Sequence, residues 1–198
     1  MTSLVLRTAP ATPIITAAQV KEQARTFHTK EEDVFQRAAD AAIAHADGPS
    51  GVMGRALITQ EWTLIAPCFT ATIPLGRLQS VDEVRYLDED GATQTLATTE
   101  YRVTAGTDNR RLAVKVNKTL PTTLVAPDAV EIDFTAGYGN AATDVPDDII
   151  SATLLLAVHL YQNRSAAMID PRASEISRLV EIGYESLVRR HILYGRGT

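Results

Sequence analysis

The stretch VEIDFTAGYGNAATDVPDDIISATLLLAVHLY, residues 130–161, contains the change of pattern that decides the fold. Its first part alternates. Val130, Ile132 and Phe134 are apolar, while Glu131 and Asp133 are charged. Side chains two apart share one face of a strand, so this spacing predicts a strand with one buried face. Gly137-Tyr138-Gly139-Asn140 breaks the alternation. Val145-Pro146-Asp147-Asp148 then predicts a helix start. Pro146 suits the first helical position, where its missing N–H is no loss, and two carboxylates sit against the positive end of the helix dipole. The run Ile149 to Tyr161 is nearly all apolar, so this helix is expected to be the most buried of the chain.

Upstream, the same period of two extends back to Leu57. Leu112-Ala113-Val114-Lys115-Val116, Val84-Arg85-Tyr86 and Tyr101-Arg102-Val103 all fit it. Leu57 to Ile65 reads as a longer strand and Thr70 to Ile73 as a short one. Asp88-Glu89-Asp90-Gly91 reads as a turn, with Gly91 supplying positive φ. Six or seven short strands predict a small antiparallel sheet or barrel.

Before Leu57 the spacing is helical. Pro10 and Pro13 keep the stretch from Met1 to Ile15 extended. Thr16-Ala17-Ala18-Gln19 has the form of a capping box and predicts a short helix to about Phe27. A second box, Thr29-Lys30-Glu31-Glu32, predicts another helix, with Val34, Phe35, Ala38, Ala39, Ala42 and Ile43 as its apolar face. Asp47-Gly48-Pro49 ends it, with Gly48 in the left-handed position after the cap. Downstream, a last helix follows Pro171 and carries Ile176, Leu179, Val180, Gly183, Leu187 and Val188 on one stripe. The expected fold class is α+β: a bundle of about four helices, residues 1–55 and 144–198, with a small antiparallel β domain, residues 56–143, inserted into it.

The 198-residue chain is 45% hydrophobic and 22% charged, with a net charge of -5. That composition supports a core without metal or disulfide. The acidity argues against a free-standing nucleic-acid binder. Its single cysteine, Cys68, forms no intrachain disulfide, which fits a reducing compartment. No apolar run approaches the roughly 20 residues that span a bilayer. Met1 to Pro13 lacks the basic start and apolar run of a signal peptide, so assembly in a cytoplasm is expected.

The residues offer little chemistry. Cys68 has no histidine near it in sequence to act as its base. His28, His45, His159 and His191 are scattered, without metal-ligand spacing, and His159 reads as a core histidine. Asp144, Asp147 and Asp148 are explained by helix-terminus electrostatics. Asp88-x-Asp90-Gly91 lacks the third oxygen ligand and distal glutamate of a calcium loop. Gly137-Tyr138-Gly139 is a lone GxG and reads as a strand exit. No cofactor, metal site or catalytic set is expected.

The C-terminal tail differs. Arg189, Arg190, His191 and Arg196 surround Ile192, Leu193 and Tyr194, with no acidic side chain from Arg189 to Thr198. The apolar trio either packs back on the chain's own helices or docks into a partner's groove with aromatic and arginine anchors.

Taken together, the residues resemble the head-tail connector, or adaptor, family of long-tailed phages and gene transfer agents. The resemblance covers nearly the whole chain. It rests on the N-terminal helix pair, on Arg55 to Trp62 entering the β insert, and on Ile73-Pro74-Leu75 with Ser80-Val81. Asp90-Gly91, Tyr101-Arg102-Val103, Thr135-Ala136-Gly137-Tyr138-Gly139, and Val145 to Asp148 leading to His159-Leu160-Tyr161-Gln162-Asn163-Arg164 continue it. The tail is longer and more basic than in the shorter adaptors. The resemblance implies a non-enzymatic subunit at the head-tail interface of a virion or gene transfer agent particle. Its copies would form a ring, usually dodecameric, between the portal protein and the stopper or head-closure protein. The ring would extend the DNA channel, with DNA passing through without sequence-specific binding. The unexplained apolar-basic tail motivates the further expectation that Arg189, Arg190, His191, Ile192, Leu193, Tyr194 and Arg196 bind the portal. At -5 per chain, twelve copies carry roughly -60 before screening, and an acidic channel would let DNA slide. Three rivals remain: a stopper or tail-completion protein, a generic cytoplasmic binding module, and a small hydrolase using Asp147 or Asp148 with His159.

Overall fold

The computed structural model describes residues 2–28, 30–70, 72–104, 111–114, 119–163 and 182–193. Its strands are β1 (Ser3–Thr8), β2 (Gln60–Ala66), β3 (Leu78–Leu87), β4 (Thr93–Thr95), β5 (Tyr101–Thr104), β6 (Arg111–Val114) and β7 (Val130–Ala136). Its helices are α1 (Ala17–Gln23), α2 (Glu32–Ala46), α3 (Asp147–Gln162) and α4, residues 182–188. The protein is mixed α+β. A five-stranded antiparallel sheet has the order β1-β2-β7-β3-β4, and β5 and β6 form a separate pair.

The alternation in β7 does what its spacing predicts. Val130, Ile132, Phe134 and Ala136 are buried on one face and meet Ala66, Leu64, Trp62 and Gln60 across β2. With Ile73, Leu75, Leu78, Val84, Leu96 and Tyr101 they make the core of the sheet. The other face carries a charged row. Asp133 is buried there, held by Thr63 Oγ1 at 2.6 Å, Arg7 at 2.8 Å and Arg85 at 3.0 Å. A buried carboxylate is tolerable only with such partners. β1 lies within residues 1–55 of the chain yet is the outer strand of the sheet, paired to β2. The sheet thus draws on sequence from before the insertion.

A second core belongs to the helices. α2 presents Phe35, Ala39, Ala42 and Ala46, and α3 presents Ile149, Ala152 and Ala157. The alanines let the two helices approach closely. Phe35 near the start of α2 stacks on Tyr161 near the end of α3, with ring centroids 4.0 Å apart, so the helices run antiparallel. Met53, Leu57 and Ile58 join this core, while Ala56 joins that of the sheet.

The chain enters and leaves the β region through one paired gate. Tyr138 N–H donates to Leu57 C=O, and Thr59 N–H donates to Gly139 C=O. A Cβ on Gly137 would stand 2.6 Å from the Thr59 nitrogen, and its φ is +145°. Gly137 is therefore required by backbone crossing backbone, whereas a Cβ on Gly139 would meet the Asp144 side chain. Asp47, just past α2, braces the gate by accepting from Leu57 N–H and Gln60 Nε2, both at 2.8 Å. Burial raises its carboxyl above the ordinary value, against the lowering effect of those hydrogen bonds.

Several element boundaries differ from expectation. The Thr16–Gln19 capping box is present, but α1 stops at Gln23 rather than Phe27, and Arg25 beyond it has a φ of +53°. α2 is flanked by Glu31, which makes no side-chain cap, and Thr29 lies outside the described residues. Gly48 is left-handed, as expected at that end. β2 begins at Gln60 and not Leu57, because residues 57–59 are taken by the gate. The described residues of Thr70–Ile73 form no strand, and Ile73 is buried in the core instead. The Asp88–Gly91 turn forms, with Gly91 at φ +80°. α3 starts at Asp147, with Pro146 flanking it. As expected, it has the smallest exposed share of the described helices, although Ile150, Leu154, Leu156 and Val158 are only half-buried and Leu160 is exposed. Hydrophobicity all round a helix indicates that more surface must be covered than one neighbour supplies. Of the last expected helix, residues 164–181 lie outside the described part. In α4, Val188 is buried and Leu187 packs partly against the core, joined by Tyr184.

Candidate functional site

The C-terminal segment is fastened to both halves of the molecule. Its anchor is Asp148, in the first turn of α3. Asp148 Oδ2 lies 2.7 Å from His191 Nε2 and accepts a hydrogen bond from Arg190 Nε, also 2.7 Å. Burial acts to raise the Asp148 carboxyl. The hydrogen bonds from His191 and Arg190, with their charges, outweigh it and hold the carboxyl below its ordinary value. Behind this clamp, the buried Arg55 donates from Nε to the His191 carbonyl. Leu193 N–H donates to Met53 C=O at 2.9 Å.

These bonds place the apolar residues. After the 3-10 turn Arg189–His191, Leu193 is buried and Ile192 is half-buried against the helical core. Arg189 and Arg190 remain exposed on the other side. Of the seven residues expected at a docking site, the structure brings Arg190 and His191 to one carboxylate and turns Ile192 and Leu193 inward. Tyr194 and Arg196 lie outside the described residues. Sequence reasoning missed Met53, Arg55 and the clamping role of Asp148. Arg55 carried a usable signal: it is a single charge in the otherwise uncharged stretch Val52-Met53-Gly54-Arg55-Ala56-Leu57-Ile58, and a charge held among buried positions needs a partner.

The other candidates do not converge. His159 Nδ1 is 3.0 Å from Asn163 Nδ2, and Asp148 is engaged with Arg190 and His191 instead. His45 faces the Tyr184 ring, and His28 contacts the Lys30 carbonyl. Cys68 is exposed. Asp144 closes the loop before α3 by accepting from Ala141 N–H. Asp88 accepts from Asp90 N–H, Ala92 N–H and Gln94 Nε2, and these bonds, led by that from Gln94, lower its carboxyl. Among the described residues no group of His, Cys, Asp and Glu is arranged to hold a metal ion. No helix among them is long and apolar enough to cross a membrane.

Over 98% of its length the chain matches one from the neck of an empty gene transfer agent particle, computed with C6 symmetry. That match covers all of the other chain at 25% identity, with a TM-score of 0.74. A chain from the virion of a native gene transfer agent particle matches 98% of this chain and 99% of its own length, at 26% identity and a TM-score of 0.72. A third, from the neck of the native particle computed with C12 symmetry, is 23% identical with a TM-score of 0.70 and shares the fold. No family model matches the sequence, and no curated protein does. These structural neighbours are consistent with the head-tail connector family that the sequence resembles.

Proposed function

We propose that this protein is a structural adaptor of a phage-like particle, located in the neck, where its copies form a ring between portal and stopper. One observation carries the reading: the fold matches gene transfer agent neck and virion chains from end to end, at 25% and 26% identity. A likeness that leaves no part of either chain over supports the same role, not merely a shared module. The symmetry of the neck structures supports a multi-copy ring for this chain. Adaptor is favoured over stopper by the helical half, since stoppers and completion proteins are more often β-rich. The role is non-enzymatic. In support, Asp148 is tied to Arg190 and His191, while His159 contacts Asn163.

In this role the helical bundle, residues 1–55 and 144–198, is the scaffold and residues 56–143 form an inserted surface facing outward or toward the next neck protein. The segment from Arg189 onward grips the portal. Arg190, His191 and Leu193 are fixed to Asp148, Arg55 and Met53, which holds this segment in place as far as Leu193. DNA passes through the ring without sequence-specific contact. The test is electron microscopy of particles assembled with the chain lacking residues 194–198, which spares the clamp. DNA-filled heads without attached rings are expected. Rings attached as in wild type would refute portal docking by the tail. Absence of the full-length chain from particle necks would refute the adaptor reading.

A further inference from the structure

Arg77 stands where the sheet meets the helical body. Its carbonyl accepts from Gly137 N–H at the gate, and the N–H of Gly76 before it donates to Gly54 C=O. Three features of this residue have no account in the fold of one copy. The first is its backbone, with a φ of +68° in the left-handed region. A Cβ crowds the main chain there, and glycine would hold the same bend without strain. Strain kept at such a position indicates that the side chain itself is wanted.

The second feature is its contact. The guanidinium carbon lies 4.1 Å from the centroid of the Tyr138 ring. Stacking of this kind fixes the plane of the guanidinium and leaves its N–H edge to bond within that plane. The third is an unmet bond. Arg77 is half-buried, and its Nε is buried and has no hydrogen-bond partner among the described residues. Other shielded cations are spent within the chain. Lys21 pairs with Glu32, Arg85 with Glu131 and Asp133, and Arg55 with the His191 carbonyl. Among the described residues Arg77 has no such acceptor. A shielded group that is always charged, with a donor unmet, calls for an anion.

The chemistry selects the occupant. One guanidinium fork matches the two oxygens of a carboxylate. Duplex DNA is held by several cations along its phosphates. Arg77 is the single charge between Ile73 and Val81, and Phe134 to Thr143 has none. Acids outnumber bases 24 to 19, so each copy offers carboxylates. Portal and stopper meet a ring at its two ends, whereas Arg77 sits at the waist between bundle and sheet. We propose that Arg77 and Tyr138 form a preorganised fork that binds a carboxylate of the adjoining copy in the ring. This rests on the ring reading above.

The first test mixes full-length Arg77→Lys with an excess of isotope-labelled wild-type chain. The lysine amine gives a carbodiimide a group to couple to any carboxylate in contact. The expected product in intact rings is the peptide bearing position 77 joined to an acidic peptide of a labelled copy. Coupling only within one copy, only to portal or stopper, or none at all would overturn the contact and leave the ring reading intact. No rings from the wild-type chain, alone or on DNA-filled heads, would overturn both. Arg77→Gly removes fork and strain together. Ring yield by electron microscopy is expected to fall at least about tenfold. The thermal midpoint of the free chain should stay within about 3 °C, since relief of strain offsets the lost stacking and the freedom of glycine. Rings at wild-type yield, or a larger fall in midpoint, would also overturn the proposal, the latter in favour of a role within one copy.

Discussion

Replacing Asp148 by alanine removes the clamp on the C-terminal segment, and its effect follows from how much water each partner sees. The side chains of Asp148 and His191 are 14% and 15% exposed, so their contact is largely shielded. A hydrogen bond to a charged group in such a place contributes about 1.5–3 kcal/mol. Arg190 is 72% exposed, and its contribution is therefore screened to about 0.5 kcal/mol. The lost carboxylate also leaves the helix N-terminus, at about 0.5 kcal/mol, although Asp147 stays. Relief of the desolvation of Asp148 offsets about 1 kcal/mol of the total. The net destabilisation is about 1.5–3 kcal/mol. With a urea slope of about 2 kcal/mol/M, the midpoint measured by circular dichroism falls by about 1 M. In a double-mutant cycle, Asp148 and His191 should couple by about 1–2 kcal/mol, while Arg190→Ala alone stays within about 0.5 kcal/mol. A midpoint shift under about 0.25 M for Asp148→Ala would refute the clamp. An Arg190→Ala effect as large as that of Asp148→Ala would refute the argument from exposure.

The clamp also has a pH sign. The folded carboxyl of Asp148 is lowered, so its stabilisation is complete above the ordinary carboxylate value of 3.8 and is lost as pH falls through the folded value. The gap in urea midpoint between wild type and Asp148→Asn should therefore close in acid. Asp47 is raised, so its folded form gains a proton first and its contribution improves as pH falls through the folded value; Asp47→Asn should remove that gain. Gly137→Ala puts a Cβ 2.6 Å from the Thr59 nitrogen at a φ of +145°, against the crossing Ile58–Thr59 backbone. A loss of at least about 3 kcal/mol, or failure to fold, is expected in expression and melting measurements. Among the described residues, the buried hydroxyl of Tyr184 has no hydrogen-bond partner, and burial raises its pKa. Tyr184→Phe should leave the melting temperature unchanged or raise it, by up to about 1 kcal/mol of stability.

What the sequence determined by itself was local. The alternation of Val130, Ile132 and Phe134 specified a strand with one buried face, because pleating places every second side chain together. Thr16 with Gln19, and Asp147 with Asp148, specified helix starts, because a helix end exposes N–H groups that nearby side chains satisfy. Only the tertiary structure decided which distant groups meet. β1 joined the sheet because an unpaired strand beside it was available across a long separation in sequence. Gly137 became obligatory because two backbone segments cross there. The tail's apolar residues were ambiguous in sequence, since Ile192 and Leu193 satisfy a core or a partner equally well. Asp148, Arg55 and Met53, far from them along the chain, turned that segment inward as far as Leu193. Contacts of this kind leave no spacing or period in the sequence, because hydrogen bonds and burial depend on distance in space alone.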